Sequence, residues 1–296
     1  MRILITGATG LIGRAFISAF QHKYQFTALC RNPATAELPK TVSIIDNLSN
    51  LQNLDDFDIV INLQGEPIFG KRWSTARKNA LLQSRVFVTQ TLTTLFNNSE
   101  KPPSVFISGS AIGYYGRQSD ISINESFDSP YPEFSHQLCK QWEQAASKAK
   151  KTTRVCLLRT GIVLSNRGGA LDQMVPPAKF GLAAVIGDGR QYMSWIHIDD
   201  MVNAIDFIAD HSEIEGPVNL TAPKPVSNRE FTDTLSQALK KPRFLSVPGA
   251  FMRVMLGEGA DLLTFGQHVI PSKLERAGYT FRFPTLKPAL TQILAP

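Results

Sequence analysis

Residues 2–13 read Arg2-Ile-Leu-Ile-Thr-Gly7-Ala-Thr-Gly10-Leu-Ile-Gly13, and this stretch decides the fold. An apolar run of strand length ends on a glycine, two more glycines follow at three-residue intervals, and a helical pattern begins. A tight turn needs Gly7. Close approach of the backbone to a pyrophosphate favours Gly10, and packing of the helix on the strand favours Gly13. The helix start offers unpaired N–H groups and the positive end of its dipole. Gly7, Thr9, Gly10, Leu11, Ile12 and Gly13 are therefore expected to hold the phosphates of a dinucleotide.

The end of the next apolar run selects the dinucleotide. An NAD site carries an acidic residue there for the ribose hydroxyls, whereas this chain reads Leu29-Cys30-Arg31-Asn32. A guanidinium pairs with an adenosine 2′-phosphate through bidentate, charge-assisted bonds. Cys30, Arg31 and Asn32 thus predict NADP(H) as the cofactor.

Working outward, short apolar runs alternate with amphipathic stretches. Strands are expected at 2–6, 26–29, 42–45, 59–63, 105–108 and 155–158, and helices at 11–21, 74–97 and 135–150. Apolar strands alternating with helices at this spacing predict an α/β fold, a Rossmann-type doubly wound parallel sheet. Past about residue 165 the rhythm changes. Gly168-Gly169, Pro176-Pro177 and the Gly187-Asp-Gly189 turn break the periodicity, and helical patterns return at 199–210, 227–240, 249–256 and 285–294. The expected organisation is a cofactor-binding domain over 1–165, with 195–210 folding back onto it. A smaller, partly helical substrate-side region then occupies 166–296.

Composition narrows the partners. The 296 residues are 43% hydrophobic and 19% charged, ordinary proportions for a globular chain, with a formal charge of +6. Lys and Arg are scattered rather than striped, which suits an anionic small molecule and argues against nucleic acid. Cys30, Cys139 and Cys156 form no CxxC pair, so a reducing, cytoplasmic setting is expected. The first glycines interrupt any signal-peptide core, and no apolar run has the length of a membrane span.

Several longer stretches resemble the YfcH-like epimerase family of atypical, extended short-chain dehydrogenase/reductases, which carries its own C-terminal domain. They are Val60-Ile-Asn-Leu-Gln-Gly-Glu-Pro67, Arg72-Trp73, Ser84-Arg85, Ser108-Gly-Ser-Ala-Ile-Gly-Tyr-Tyr-Gly116, Trp142-Glu143 and Arg159-Thr-Gly-Ile-Val-Leu164. The likeness continues in Gly168-Gly-Ala-Leu171, Gly187-Asp-Gly-Arg-Gln191, Trp195-Ile-His-Ile-Asp-Asp200, Asn219-Leu-Thr-Ala-Pro223 and Gly266-Gln267. The resemblance implies that Leu63, Gln64 and Gly65 lie beside the adenine–ribose side of the cofactor. It also implies that Arg85 approaches the cofactor and that Val163 lies near the nicotinamide. Ser108 follows a strand and lines the same crevice. A homodimer is implied as well.

Relatives of this kind work with a serine on the fifth strand and a Tyr-x-x-x-Lys pair on the next helix, where the lysine depresses the tyrosine pKa. By this pattern Ser110 is the serine, and Lys140 is the lysine and a holder of the nicotinamide ribose. Four residues before Lys140 stands His136 rather than tyrosine, and Tyr131 is off the register. Three alternatives stay open. His136 carries the proton, Tyr114 or Tyr115 reaches in from beyond the strand, or the site turns over weakly and the fold serves to bind cofactor. His197, Asp199 and Asp200 are read as a helix cap rather than a metal set, and no metal is expected. Arg190 and Gln191 are expected to bind the substrate, since in sugar-nucleotide enzymes with a similar loop an arginine meets a diphosphate. The function expected is an NADP(H)-dependent epimerase or carbonyl reductase acting on a small-molecule, nucleotide-linked or simple substrate. The alternative is an NADP(H)-binding regulator or interaction protein.

Overall fold

Apolar runs become parallel strands when both of their faces are covered, and that condition is met here. The computed structural model describes residues 1–295. The first half runs β1 (Arg2–Thr6), α1 (Leu11–Phe20), β2 (Gln25–Leu29), β3 (Ser43–Ile45), β4 (Ile59–Asn62), α2 (Thr75–Asn97), β5 (Val105–Ala111), β6 (Ser122–Ile123), α3 (Phe134–Ser147) and β7 (Arg154–Thr160). Then come β8 (Ile162–Leu164), α4 (Ala170–Lys179), β9 (Ala184–Ile186), β10 (Tyr192–Met193), β11 (Trp195–His197), α5 (Ile198–Asp210) and β12 (Gly216–Leu220). The chain closes with β13 (Val226–Ser227), α6 (Asn228–Ala238), β14 (Leu245–Val247), α7 (Gly249–Leu256), α8 (Asp261–Thr264), β15 (His268–Val269), α9 (Ser272–Arg276) and α10 (Leu286–Ile293).

Seven strands form one sheet in the order β12-β7-β5-β4-β1-β2-β3, and every pairing is parallel. The period-2 alternation of strand side chains divides the core. Ile3, Ile5, Ile59, Ile61, Val105 and Ile107 point to one face, where they meet Phe16 and Ile17 of α1 and Met201 and Ile205 of α5. Leu4, Val60 and Phe106 point to the other, against Leu92 and Phe96 of α2 and Ala146 of α3. This is the doubly wound α/β architecture, and it carries a helical C-terminal region. That region has its own core, in which Trp195, Leu171, Phe231 and Leu235 pack with Leu286, Leu290 and Ile293.

Of the strands and α-helices that the sequence pattern did not indicate, two contain proline. The seventh strand, β12, holds Pro217 and does not alternate. It pairs only with β7, and a sheet edge tolerates the missing proline N–H. α4 forms across Pro176-Pro177, which had suggested a break. Both prolines are exposed, and the carbonyls they leave unpaired belong to the exposed Asp172 and Gln173, where water serves them.

The cap of α5 also differs in its atoms. His197, fully buried, accepts the Asp199 N–H at Nδ1 (3.0 Å), and its Nε2–H donates to the Gln292 side-chain oxygen (2.8 Å). Asp200 accepts the N–H groups of Arg282 and Phe283, tying α5 to the chain before α10. Among the described residues, no group of three or more His, Cys, Asp or Glu side chains gathers as a metal set.

Burial lowers the His197 pKa, so the folded chain keeps the neutral, accepting imidazole. A folded pKa below the unfolded value of about 6.5 means that stability is present above that pH and falls as pH drops below it. Thermal melts from pH 8 to pH 5 should therefore show a loss of Tm on acidification. His197→Asn, which still caps but cannot titrate, should flatten that part of the curve.

Candidate functional site

The glycine turn between β1 and α1 is built so that only glycine fits. Gly7 has φ +70°, and a Cβ there would lie 2.7 Å from the carbonyl carbon and oxygen of Leu63. A Cβ on Gly13 would collide with the Gly7 carbonyl. Gly10 is the extended N-cap of α1, no side chain caps the helix, and no acidic residue stands in its first turn. The N–H groups at the start of α1 are therefore offered outward, as an anion requires. Thr9 and Gly10 are exposed, and Leu11 and Ile12 half-buried, at the mouth of this turn. From the far side the 165–169 loop leans over it, since a Cβ on Gly169 would lie 3.0 Å from a Leu11 methyl and 3.4 Å from the Val163 carbonyl. Beneath the turn a buried polar chain fixes the neighbouring elements. The Thr6 hydroxyl donates to Asn62 Oδ1 (2.6 Å), the Asn62 amide donates to Thr89 Oγ1 (2.8 Å), and Trp142 Nε1 donates to the same oxygen (3.1 Å).

Beyond β2, Cys30 turns inward and burial pushes its thiol pKa up. Arg31 and Asn32 face solvent, and the Arg31 guanidinium stands 3.8 Å from the Glu66 carboxylate. Leu63 and Gln64 run half-buried beside the glycine turn, and Gly65 is exposed. Arg85 is a strut for this segment. It donates to the carbonyls of Leu81 (3.0 Å) and Glu66 (2.8 Å), lies over the Trp142 ring, and would clash with any Cβ on Gly65. Burial lowers its pKa from the ordinary guanidinium value. Ser108 lies in the middle of β5 rather than after it, fully buried with its hydroxyl unpartnered, so it does not open onto the crevice as expected.

The end of β5 differs from expectation in one register. The Ser110 hydroxyl donates to Glu143 Oε1 (2.7 Å), and Arg159 from β7 grips both oxygens of that carboxylate at 2.9 Å. Both charged groups are buried. Burial opposes the charged guanidinium, yet the Glu143 carboxylate outweighs it and raises the Arg159 pKa. The face of α3 turned towards β5 carries Ser135, Cys139 and Glu143, spaced i, i+4, i+8. Ser135 and Cys139 lie against Gly113, and Cys139 touches Ser110 and the Ala111 backbone. Burial first, and the neighbouring Glu143 second, push the Cys139 thiol up to about 12.

Lys140 is therefore not brought to Ser110. One residue on from Cys139 is a turn of about 100° around the helix, and Lys140 faces solvent. His136 is buried, with its Nδ1–H donating to the Tyr114 carbonyl (2.5 Å), so it braces the chain beyond β5. Tyr115 is fully buried, and its hydroxyl is taken up by Asn219 Oδ1 (2.6 Å) and by the Arg159 guanidinium, which donates to it (3.1 Å). Burial pushes its pKa up to about 12. Tyr114 is half-exposed, and its ring is stacked 3.5 Å over the Arg159 guanidinium. Arg190 and Gln191 sit on the turn between β9 and β10. Arg190 is 86% exposed and pairs with Asp188, whereas Gln191 donates to the carbonyls of Ile186 and Leu263 and serves as an internal tie. The Glu143–Arg159 pair was missed as a site feature, although both residues stand in motif stretches. The sequence signal was a charge closing the apolar run of β7, where only a paired charge is tolerated.

A glycine-lined helix start beside the central strand, and a serine near the end of β5, are features of the extended short-chain dehydrogenase/reductases. Residues 3–220 match the NAD dependent epimerase/dehydratase family, and residues 247–293 match a domain of unknown function, DUF1731. An epimerase family protein of Staphylococcus epidermidis is 38% identical over 296 residues, 99% of each chain. One of Mycobacterium bovis is 40% identical, covering 97% of this chain and 96% of its own. The crystal structure of human epimerase family protein SDR39U1 (isoform 2) with NADPH superposes with a TM-score of 0.91 at 30% identity, over 99% of both chains. A UDP-glucuronic acid 4-epimerase from Bacillus cereus, in complex with UDP-glucuronic acid and NAD, shares the fold at a TM-score of 0.78 and 20% identity. This chain belongs to the NAD dependent epimerase/dehydratase family, as its motifs had indicated.

Removing one partner of a buried pair leaves an uncompensated charge, at a cost of about 3–5 kcal/mol. Urea unfolding of Glu143→Gln and Arg159→Met should each show a loss of that order. The double variant should recover much of it, whereas additive losses would mean that the two charges do not stabilise each other.

Proposed function

We propose that this chain is an NADP(H)-dependent reductase or epimerase of small carbonyl or alcohol substrates, nucleotide-linked ones included. The observation that carries the reading is the uncapped, glycine-lined start of α1, with the Arg31 guanidinium at the end of β2. The human relative crystallised with NADPH supports the choice of cofactor. In this reading the N–H groups of Leu11, Ile12 and Gly13 meet the pyrophosphate, while Gly7 and Gly10 shape the turn, the Gly10 N–H closing onto the Gly7 carbonyl (3.0 Å). Arg31 and Asn32 meet the adenosine phosphate, and the 63–65 turn the adenine–ribose side. Bound there, the cofactor supplies or accepts a hydride. The residues of the chain do the rest. The Ser110 hydroxyl turns its proton from Glu143 to the substrate oxygen and polarises it, while Arg159, which grips both carboxylate oxygens, holds Glu143 in place. Tyr114, the half-exposed phenol of the three candidates, exchanges the proton. Arg190, on a solvent-facing turn, exchanges its Asp188 partner for an anionic group on a substrate.

The reading assigns cofactor binding to 1–165 together with 195–210, and the substrate side to the rest of 166–296. It places the protein in the cytoplasm, in keeping with three buried free cysteines. It also includes a homodimer, to which the exposed Phe87 on α2 offers an apolar contact. Among the described residues no helix is long and apolar enough to cross a membrane.

A second reading, an NADP(H)-binding regulator with little turnover, is favoured by one observation. The α3 positions that face Ser110 carry Ser135 and Cys139, neither of which supplies the cation of a Tyr–Lys pair.

Titration of the purified chain with NADPH and NADH tests the first part. NADPH should bind more tightly, and Arg31→Ala should weaken NADPH about 10- to 100-fold while sparing NADH. Turnover against a panel of carbonyls and nucleotide sugars tests the second. Ser110→Ala and Tyr114→Phe should each lower it about 100-fold or more, and Lys140→Ala should leave it unchanged. Tight NADPH binding with no turnover across the panel would favour the regulator.

A further inference from the structure

Two arginines from different elements converge on the carboxylate of Glu66, in the loop after β4 that faces the end of β2. Glu66 Oε1 lies 3.8 Å from Arg31 Nη1, and Glu66 Oε2 lies 3.4 Å from Arg77 Nη1. Arg77 comes from the first turn of α2, donates also to the Pro67 carbonyl, and keeps its buried Nε without a partner. The Glu66 side chain is one-third exposed and Arg31 is 82% exposed. The backbone at Glu66 is held on both sides, because its N–H donates to Ser84 Oγ (3.1 Å) and its carbonyl accepts from Arg85 (2.8 Å). Only the side chain is free to swing. The pair with Arg31 is long and exposed and restrains it weakly, leaving one 3.4 Å hydrogen bond from the largely buried Arg77 as its main tether. In its chemistry the arrangement is an anion site filled by an anion of the chain itself.

We propose that Glu66 is a movable occupant of the subsite for the adenosine 2′ position, and that it sets the balance between the two nicotinamide cofactors. Turned in, its carboxylate accepts a ribose 2′-hydroxyl, the role an acidic residue plays in NAD(H) sites. Turned out, it leaves Arg31 and Arg77 to a 2′-phosphate, which they bind by charge-assisted bonds. A 2′-phosphate entering beside an inward Glu66 meets a like charge in the same pair of guanidinium groups. Discrimination in favour of NADP(H) is therefore smaller than two arginines alone would give. This inference rests on the placement of the adenosine at Arg31 proposed above.

Calorimetry with adenosine 2′,5′-bisphosphate and 5′-AMP tests it without any need for turnover. The wild-type chain should bind the bisphosphate more tightly than AMP. Glu66→Gln should widen that ratio about tenfold by tightening the bisphosphate. The same variant should weaken NADH, and Arg77→Lys should narrow the ratio. Glu66→Ala, which removes the carboxylate without adding an amide donor, should widen the ratio as well, and unchanged Tm values would verify folding. A bisphosphate-to-AMP ratio within twofold of wild type in both Glu66 variants overturns the role of Glu66, while leaving Arg31 as the phosphate ligand. Equal binding of the two nucleotides by wild type, with Arg31→Ala silent, overturns the adenosine placement and this inference with it.

Discussion

The site is organised around one buried ion pair, Arg159 on β7 with Glu143 on α3. Neither charge is tolerable alone inside the protein, so the strand and the helix hold each other in one relative position. Everything around the pair takes its place from it. Ser110 donates to the same carboxylate, Tyr114 lies on the guanidinium, and Tyr115 extends the network to Asn219 on β12. Three parallel strands and one helix are thereby fixed at the end of the sheet where ligands bind in such folds.

That rigidity has a chemical consequence. Where the relatives' pattern puts a lysine ammonium beside the serine, α3 presents Cys139, a thiol whose pKa is raised by burial. Positive charge reaches the site from below instead, as a guanidinium held by Glu143 and covered by the Tyr114 ring. A guanidinium so held does not give up its proton, so it serves as a fixed cation. The cofactor end is of the opposite kind. It is made of backbone N–H groups and the solvent-facing Arg31, which adjusts at little cost.

Much of the sheet was legible because parallel strands buried on both faces are continuously apolar, and because three glycines mark the first turn. β12 was hidden by Pro217 and by its place at the edge, where the pattern of a central strand is not required. α4 was hidden by its paired prolines. The glycine turn was legible as a shape, since Gly7 and Gly13 each have a steric reason that matches their spacing. The catalytic end was not. With no tyrosine to anchor the Tyr-x-x-x-Lys spacing, Lys140 was the natural lysine, although the inward face of α3 is marked by Leu138, Cys139, Trp142 and Ala146. Reading that apolar stripe first would have turned Lys140 outward. The pairing of Glu143 with Arg159, and of Glu66 with Arg31 and Arg77, joins elements that only the folded sheet brings together.

Hydrogen exchange with and without saturating NADPH tests the central claim most directly, that a dinucleotide lies across the glycine turn with its reactive end towards Ser110. The account predicts slowed exchange in peptides spanning residues 6–14, 62–66 and 108–116, with the C-terminal helix at 286–293 unchanged. Unaltered exchange at 6–14, or protection confined to the C-terminal region, would contradict it.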